Sequence, residues 1–145
     1  MKLSKKGVID LPVKLMVVIL VVSLSVPLLT DAMARGESDN AVSAMNAEID
    51  KIINAAAAVH YSGTDSSRTV SLSIPDGCGI VIPGGSGSDS YSLKMMYKGK
   101  ETGTRYMDRP PVKFITDGMT LTGTCLLLIT SDAVDGHSAV RVSAV

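Results

Sequence analysis

Apolar residues follow three different rhythms along the chain, and each predicts a different element. Between Leu15 and Leu29 no side chain is charged, and eleven of these fifteen residues are Leu, Ile or Val. From Val42 to Val59 the apolar positions recur at alternating spacings of three and four. Beyond Arg68 they alternate with Ser and Thr at a period of two. A continuous run, a helical stripe and an alternating pattern predict, in order, a helix that faces lipid, an amphipathic helix and a set of half-buried strands.

The first segment is quantitatively strong. Each Leu, Ile or Val near a helix centre favours insertion by about 0.3 to 0.6 kcal/mol, so the run as a whole favours a bilayer by roughly 3 to 7 kcal/mol. Fifteen residues span only about 23 Å against a hydrocarbon core of about 30 Å, so the helix has to begin earlier. A start at Leu11 brings it to about 28 Å, with Lys14 curling its ammonium back to the headgroups. Asp10-Leu11-Pro12 suits that start, because Asp is a preferred N-cap and Pro in a first turn removes only an amide that has no partner. Pro27 is expected to loosen the last turns.

After Thr30 the chain turns polar, and Gly36 is expected to interrupt the helix. Val42, Met45, Ile49, Ile52, Ala56 and Val59 then form an a/d stripe. It has two uses: packing on the protein's own β domain, or serving as an assembly face between subunits. An isolated coiled coil this short is marginal, which favours the first. His60-Tyr61-Ser62-Gly63 closes the helix, with Gly63 as its stop.

The remainder predicts strands over Val70–Ile74, Gly79–Ile82, Tyr91–Tyr97, Thr104–Met107, Val112–Ile115, Met119–Thr122, Cys125–Ile129 and His137–Val145. Pro75-Asp76-Gly77, Asp117-Gly118 and Asp135-Gly136 supply turns between them. No strand-helix-strand rhythm occurs, so doubly wound and barrel enzymes are excluded on pattern. The expected class is α+β: a long N-terminal transmembrane helix followed by a small antiparallel β-sandwich head. Residues 8–30 read as the transmembrane helix, 31–63 as an amphipathic helical linker and 64–145 as an extracellular β domain.

Charge fixes an orientation rather than a partner. Lys plus Arg equals Asp plus Glu, at 14 each, so no global field argues for nucleic acid. Lys2, Lys5, Lys6 and Lys14 precede the core of the apolar run, while Asp31, Arg35, Glu37 and Asp39 follow it. The positive-inside rule then places the N-terminus in the cytoplasm and the head outside. In an oxidising exterior Cys78 and Cys125 are expected to pair, a closure worth about 4 kcal/mol in the chain-entropy model; two buried thiols are the alternative. Ala32-Met33-Ala34 also supplies a small-x-small site, so cleavage after Ala34 would release a soluble β module. The apolar run is long for a signal core, and Asp31 is unusual beside such a site.

Lys5-Lys6-Gly7 followed by Val8 and the apolar helix resembles the short leader of archaeal type IV prepilins and archaellins. Gly-Val-Ile-Asp-Leu-Pro-Val-Lys-Leu-Met with the later Ser-Val-Pro-Leu is similar to the opening of archaeal pilin-like membrane proteins. The resemblance implies that residues 1–7 are a basic leader cut between Gly7 and Val8, that the helix of residues 8–30 stays attached and forms a filament core, and that a β-rich head lies outside the cell. It also implies partners: membrane lipid, and further copies or other pilin-like subunits. Pilins commonly carry an acid at the fifth mature position. Here Pro12 holds that place and Asp10 is third, so Asp10 either takes that part from a shifted position or caps the helix.

No catalytic or metal constellation is expected, and no cofactor. The histidines are His60 and His137, and neither sits in a recognised motif. Ser131, Asp132 and His137 fall in one predicted loop, whereas a triad draws its members from separate elements. Pro83-Gly84-Gly85 lacks the ending of a P-loop. The sequence therefore predicts a membrane-anchored, pilin-like surface protein that acts by association. The rival is a secreted binding module.

Overall fold

The computed structural model describes the backbone of residues 5–85 and 87–145 and the side chains of residues 11–85 and 87–145. One α-helix, α1 (Lys5–Ser62), precedes eight strands: β1 (Ser67–Ser73), β2 (Cys78–Ile82), β3 (Ser92–Tyr97), β4 (Lys100–Tyr106), β5 (Lys113–Ile115), β6 (Met119–Leu121), β7 (Thr124–Val134) and β8 (His137–Ala144). The class is therefore α+β, a long N-terminal helix followed by two small sheets. The chain divides into two compact units, one ending at Ser38 and one running from Asp39 to Val145.

In the first unit the helix runs through the start expected at Leu11 and the break expected at Gly36. It begins at Lys5, so Asp10 lies inside it and is not its N-cap. Lys5 and Lys6 are good helix formers, and Pro12 is tolerated in the interior at the loss of the one amide that the Val8 carbonyl would accept. Gly36 is also helical, with open space where its Cβ would be. The polar atoms of the apolar stretch are accounted for locally. Ser23 Oγ donates to the Ile19 carbonyl at 2.7 Å, Ser25 Oγ to that of Val21 at 2.7 Å, and Thr30 Oγ1 to those of Val26 and Pro27 at 3.2 and 2.9 Å. Hydroxyls satisfied this way can sit in hydrocarbon without an unpaired donor.

In the second unit the stripe is core. Met45, Ile49, Ile52 and Ala56 are fully buried, Val59 is 3 % exposed, and Val42 packs against the same cluster. Of the two uses the sequence offers, this is the favoured one, packing on the protein's own β domain, and it corrects the other, an assembly face, since those side chains are spent inside the head. It also moves the start of the head from residue 64 back to Asp39, because the stripe is one wall of its interior. Gly63, at φ 86°, ends the helix in the left-handed region where a side chain would be strained. Ser66 Oγ donates to the carbonyls of Val59 and Gly63 at 2.8 and 2.7 Å and so satisfies part of the last turn.

The strands form two four-stranded sheets, ordered β1-β7-β8-β5 and β4-β3-β2-β6. Their inner faces and α1 share one core that includes Leu72, Ile80, Ile82, Leu93, Phe114, Leu127, Ile129 and Val140. All pairings are antiparallel except β5 with β8, which is parallel. The exception follows from connectivity. The chain reaches β5 from β4 in the other sheet, across the stretch holding Pro110 and Pro111, so no hairpin constrains its direction. Asp117-Gly118 likewise carries the chain from one sheet to the other and does not turn a hairpin. There Gly84 is indispensable: a Cβ on it would lie 2.4 Å from the Gly118 amide and 2.8 Å from the Thr116 carbonyl.

Three polar ties join the helix to the strands within this unit. Glu48 is buried. It accepts from Lys51 Nζ at 2.8 and 2.9 Å and from the Ser73 amide of β1 at 3.0 Å. Arg105 of β4 donates to Asn46 at 3.1 Å and to Asp50 at 2.9 Å. His60 meets Ser138 of β8.

Candidate functional site

Two regions have features that packing alone does not explain: the apolar surface of the first unit and a groove on the head. The first is defined by what fails to cover it. Every Leu, Val, Ile and Met from Leu11 to Leu29 is between 52 and 72 % exposed, so only the neighbours along the helix shield these side chains. The segment is long and apolar enough to cross a membrane, and none of its most apolar window is buried. A helix hydrophobic all round requires an apolar surround. Gly7, Val8 and Asp10, on which the expected leader cut and pilin-like acid fall, are described in their backbone alone, as part of α1.

Cys78 and Cys125 are free, which corrects the expected disulfide. Cys78 opens β2 and Cys125 lies near the start of β7, so they belong to different sheets. Both contribute to the apolar core, Cys78 as a buried member and Cys125 packed against it. Burial pushes both thiols up from their ordinary value, with the charge of Asp76 adding to it at Cys78 and that of Glu48 at Cys125. Thiols raised in this way are poor nucleophiles.

Ser131, Asp132 and His137 do not converge. Ser131 and Asp132 are successive residues of β7 and point to opposite faces of the sheet. Asp132 is occupied by Arg141 of β8, which donates to it at 3.1 and 2.8 Å, and by the Ala133 amide at 2.8 Å. The Ala133 amide first, and then Arg141, hold its carboxyl below the usual range. What was expected to be a loop is the extended end of an eleven-residue strand, turned at Asp135-Gly136 with φ of 53° and 78°.

Instead the fold brings His60 to His137. They line one cavity of about 320 Å³ together with Tyr91, Lys113, Asp135 and Ser138. His60 Nδ1 and Ser138 Oγ are 2.8 Å apart, and the Tyr61 ring meets the His60 ring edge-on at 5.4 Å. Residues 60 and 138 are 78 positions apart, and no local motif marks either one. Among the described residues no group of three His, Cys, Asp or Glu side chains stands together as a metal site would require. A second cavity of about 390 Å³, almost wholly apolar, shares Tyr91 and Pro111 with the first and continues to Tyr106 and Met107.

These features define a class: a candidate single-span chain with an α+β head. Comparison adds no relative, since no family model matches the chain and no curated protein or solved structure matches it.

Proposed function

We propose that this is a single-pass membrane protein, pilin-like in layout, that holds its β-rich head at the outer surface of a cell and acts by association, not catalysis. The observation that carries the reading is the apolar length from Leu11 to Leu29, more than half exposed at every Leu, Val, Ile and Met, with the hydroxyls of Ser23, Ser25 and the adjoining Thr30 satisfied by their own helix. The excess of lysines before it over the single Arg35 that follows among the acids supports a cytoplasmic N-terminus and an outer head. In the filament version, the surface from Val8 to Leu29 supplies contacts to lipid and to neighbouring subunits. The stripe from Val42 to Val59 does not take part, being buried in the head.

One observation also favours release. Cleavage after Ala34 would fall before Asp39, so the whole compact head would survive it. The mature N-terminus separates the readings. A chain that begins at Val8 or at Met1 and sediments with membranes supports anchoring. One that begins at Arg35 and is found free in the medium would refute it and leave an exported β module. If Val8 is the start, sheared surface filaments containing the protein support polymerisation.

A further inference from the structure

The two head cavities adjoin at Tyr91 and Pro111, which line both, one of mixed polarity and one apolar, as the two ends of a groove would. We infer that this groove binds a neutral saccharide, with its apolar end against the C–H face of a sugar ring and its polar end on the hydroxyls. The site lies wholly within the unit from Asp39 to Val145, and the inference is independent of whether the helix anchors or polymerises.

The apolar end is Tyr106, Tyr91, Pro111 and Met107. Tyr106 is 57 % exposed at the end of β4, a large flat side chain that the core does not use. A tyrosine in this position presents an apolar face to a ligand and keeps its hydroxyl in water, at little cost in side-chain freedom. The wall is fixed by backbone. The Met107 amide donates to the Tyr91 carbonyl at 2.7 Å, and Asp108 bridges to Pro111. Tyr91 closes a short 3₁₀ turn pinned by Ser90 Oγ on the Gly87 carbonyl at 2.6 Å and by Ser92 Oγ on that of Asp89 at 2.8 Å. A site held by its own backbone loses little freedom when a ligand arrives.

The polar end decides the class of ligand. Lys113 and Asp135 contribute one charge of each sign, so the pair presents no single sign of charge to select an anion. What it offers is mixed: the Lys113 ammonium donates, the Asp135 carboxylate accepts, and His60, His137 and Ser138 do either. A sugar hydroxyl also donates and accepts, so this set answers a polyol better than a phosphate or a carboxylate. Each cavity falls within the volume range of about 300 to 1,000 Å³ typical of ligand sites, which suits a short chain of rings laid along both.

The test uses the full chain in phosphatidylcholine nanodiscs, since a glycoside detergent would itself occupy the groove. It is applied to an array of neutral hexose and N-acetylhexosamine oligosaccharides beside uronate and sulfated ones. Wild type is expected to retain neutral members. Tyr106→Ala should weaken retention about tenfold or more, equivalent to about 1.4 kcal/mol, while Tyr106→Phe keeps most of it and His137→Ala loses a comparable amount. Tyr106 and His137 are exposed, so these variants keep the melting temperature of the head, which is measured in parallel. Retention of no saccharide, retention of acidic ones alone, or equal retention by Tyr106→Ala overturns the inference.

Discussion

The same helix carries two sets of apolar side chains that meet opposite fates. From Leu11 to Leu29 they are more than half exposed, whereas from Met45 to Val59 those on one face are almost completely buried. Residue type does not separate the two sets, as both are built from aliphatic side chains. Pattern does. The first set covers every face of the helix, so no protein surface packed on one side could cover it. The second is a stripe, with Asn46, Glu48, Asp50 and Lys51 beside it to face strands and solvent. An all-round apolar helix needs a surround and a one-sided one needs a floor, and the chain supplies only the floor.

Two substitutions of similar size should break this contrast in opposite directions. Val21→Asp exchanges a residue that favours insertion by about 0.3 to 0.6 kcal/mol for one that opposes it by about 2.5 to 3.5, a swing of roughly 3 to 4 kcal/mol. Membrane-integrated protein, measured by carbonate extraction, should fall sharply, and any filaments with it. The melting temperature of the head should not change. Ile49→Ala should do the reverse. It opens a cavity in the head and costs about 3 kcal/mol in denaturant unfolding, with membrane retention unaltered. If Ile49→Ala disturbed retention and left head stability intact, the stripe would be facing a partner after all.

The sequence makes period legible and long-range company illegible. The strand positions from Val70 to Val142 follow from alternation and turn residues, and the stripe follows from its threes and fours. The expected break at Gly36 does not occur, because a single glycine costs only about 1 kcal/mol relative to alanine and a long helix absorbs it. The parallel placement of β5 depends on which edge is free once β7 and β8 have paired, and no local residue encodes that. The groove is the extreme case. His60 ends a helix, Tyr91 ends a 3₁₀ turn, Tyr106 ends β4 and Ser138 begins β8, so only the closed fold collects them. The pairing expected of the cysteines does not occur, and both thiols are used as apolar packing instead.

Within the head, smaller changes sharpen the comparison by separating contacts that can yield from those that cannot. Gly84→Ala drives a Cβ into the backbone of residues 116–118, which has no flexible end to move aside. It should cost about 2 kcal/mol, at the level of a core overpacked by one methyl group. At Gly103 the only close neighbour is the terminal methyl of Met95, at 2.6 Å, and a thioether can swing away. Gly103→Ala should therefore cost well under that, about 0.5 kcal/mol or less. Comparable losses in parallel chemical denaturation would mean that the sheet-crossing at Gly84 is looser than its contacts imply.

One effect can be switched by pH, and it concerns the tie between helix and β1. Burial alone would push the Glu48 carboxyl up, but the Lys51 ammonium and the Ser73 amide outweigh it and hold it below its ordinary value. A carboxyl lowered on folding contributes stability that is present above its unfolded value, about 4.3, and is lost as pH falls through the folded one. Glu48→Gln removes the charge yet leaves an oxygen for the Ser73 amide, so it should cost about 1 to 2 kcal/mol at pH 7. The gap between the two melting curves should then close as pH drops below about 4. Asp132 is lowered as well and is present in both proteins, so its contribution cancels from that difference. A gap that stayed constant from pH 7 to pH 3 would assign the loss to packing around residue 48 and not to its charge.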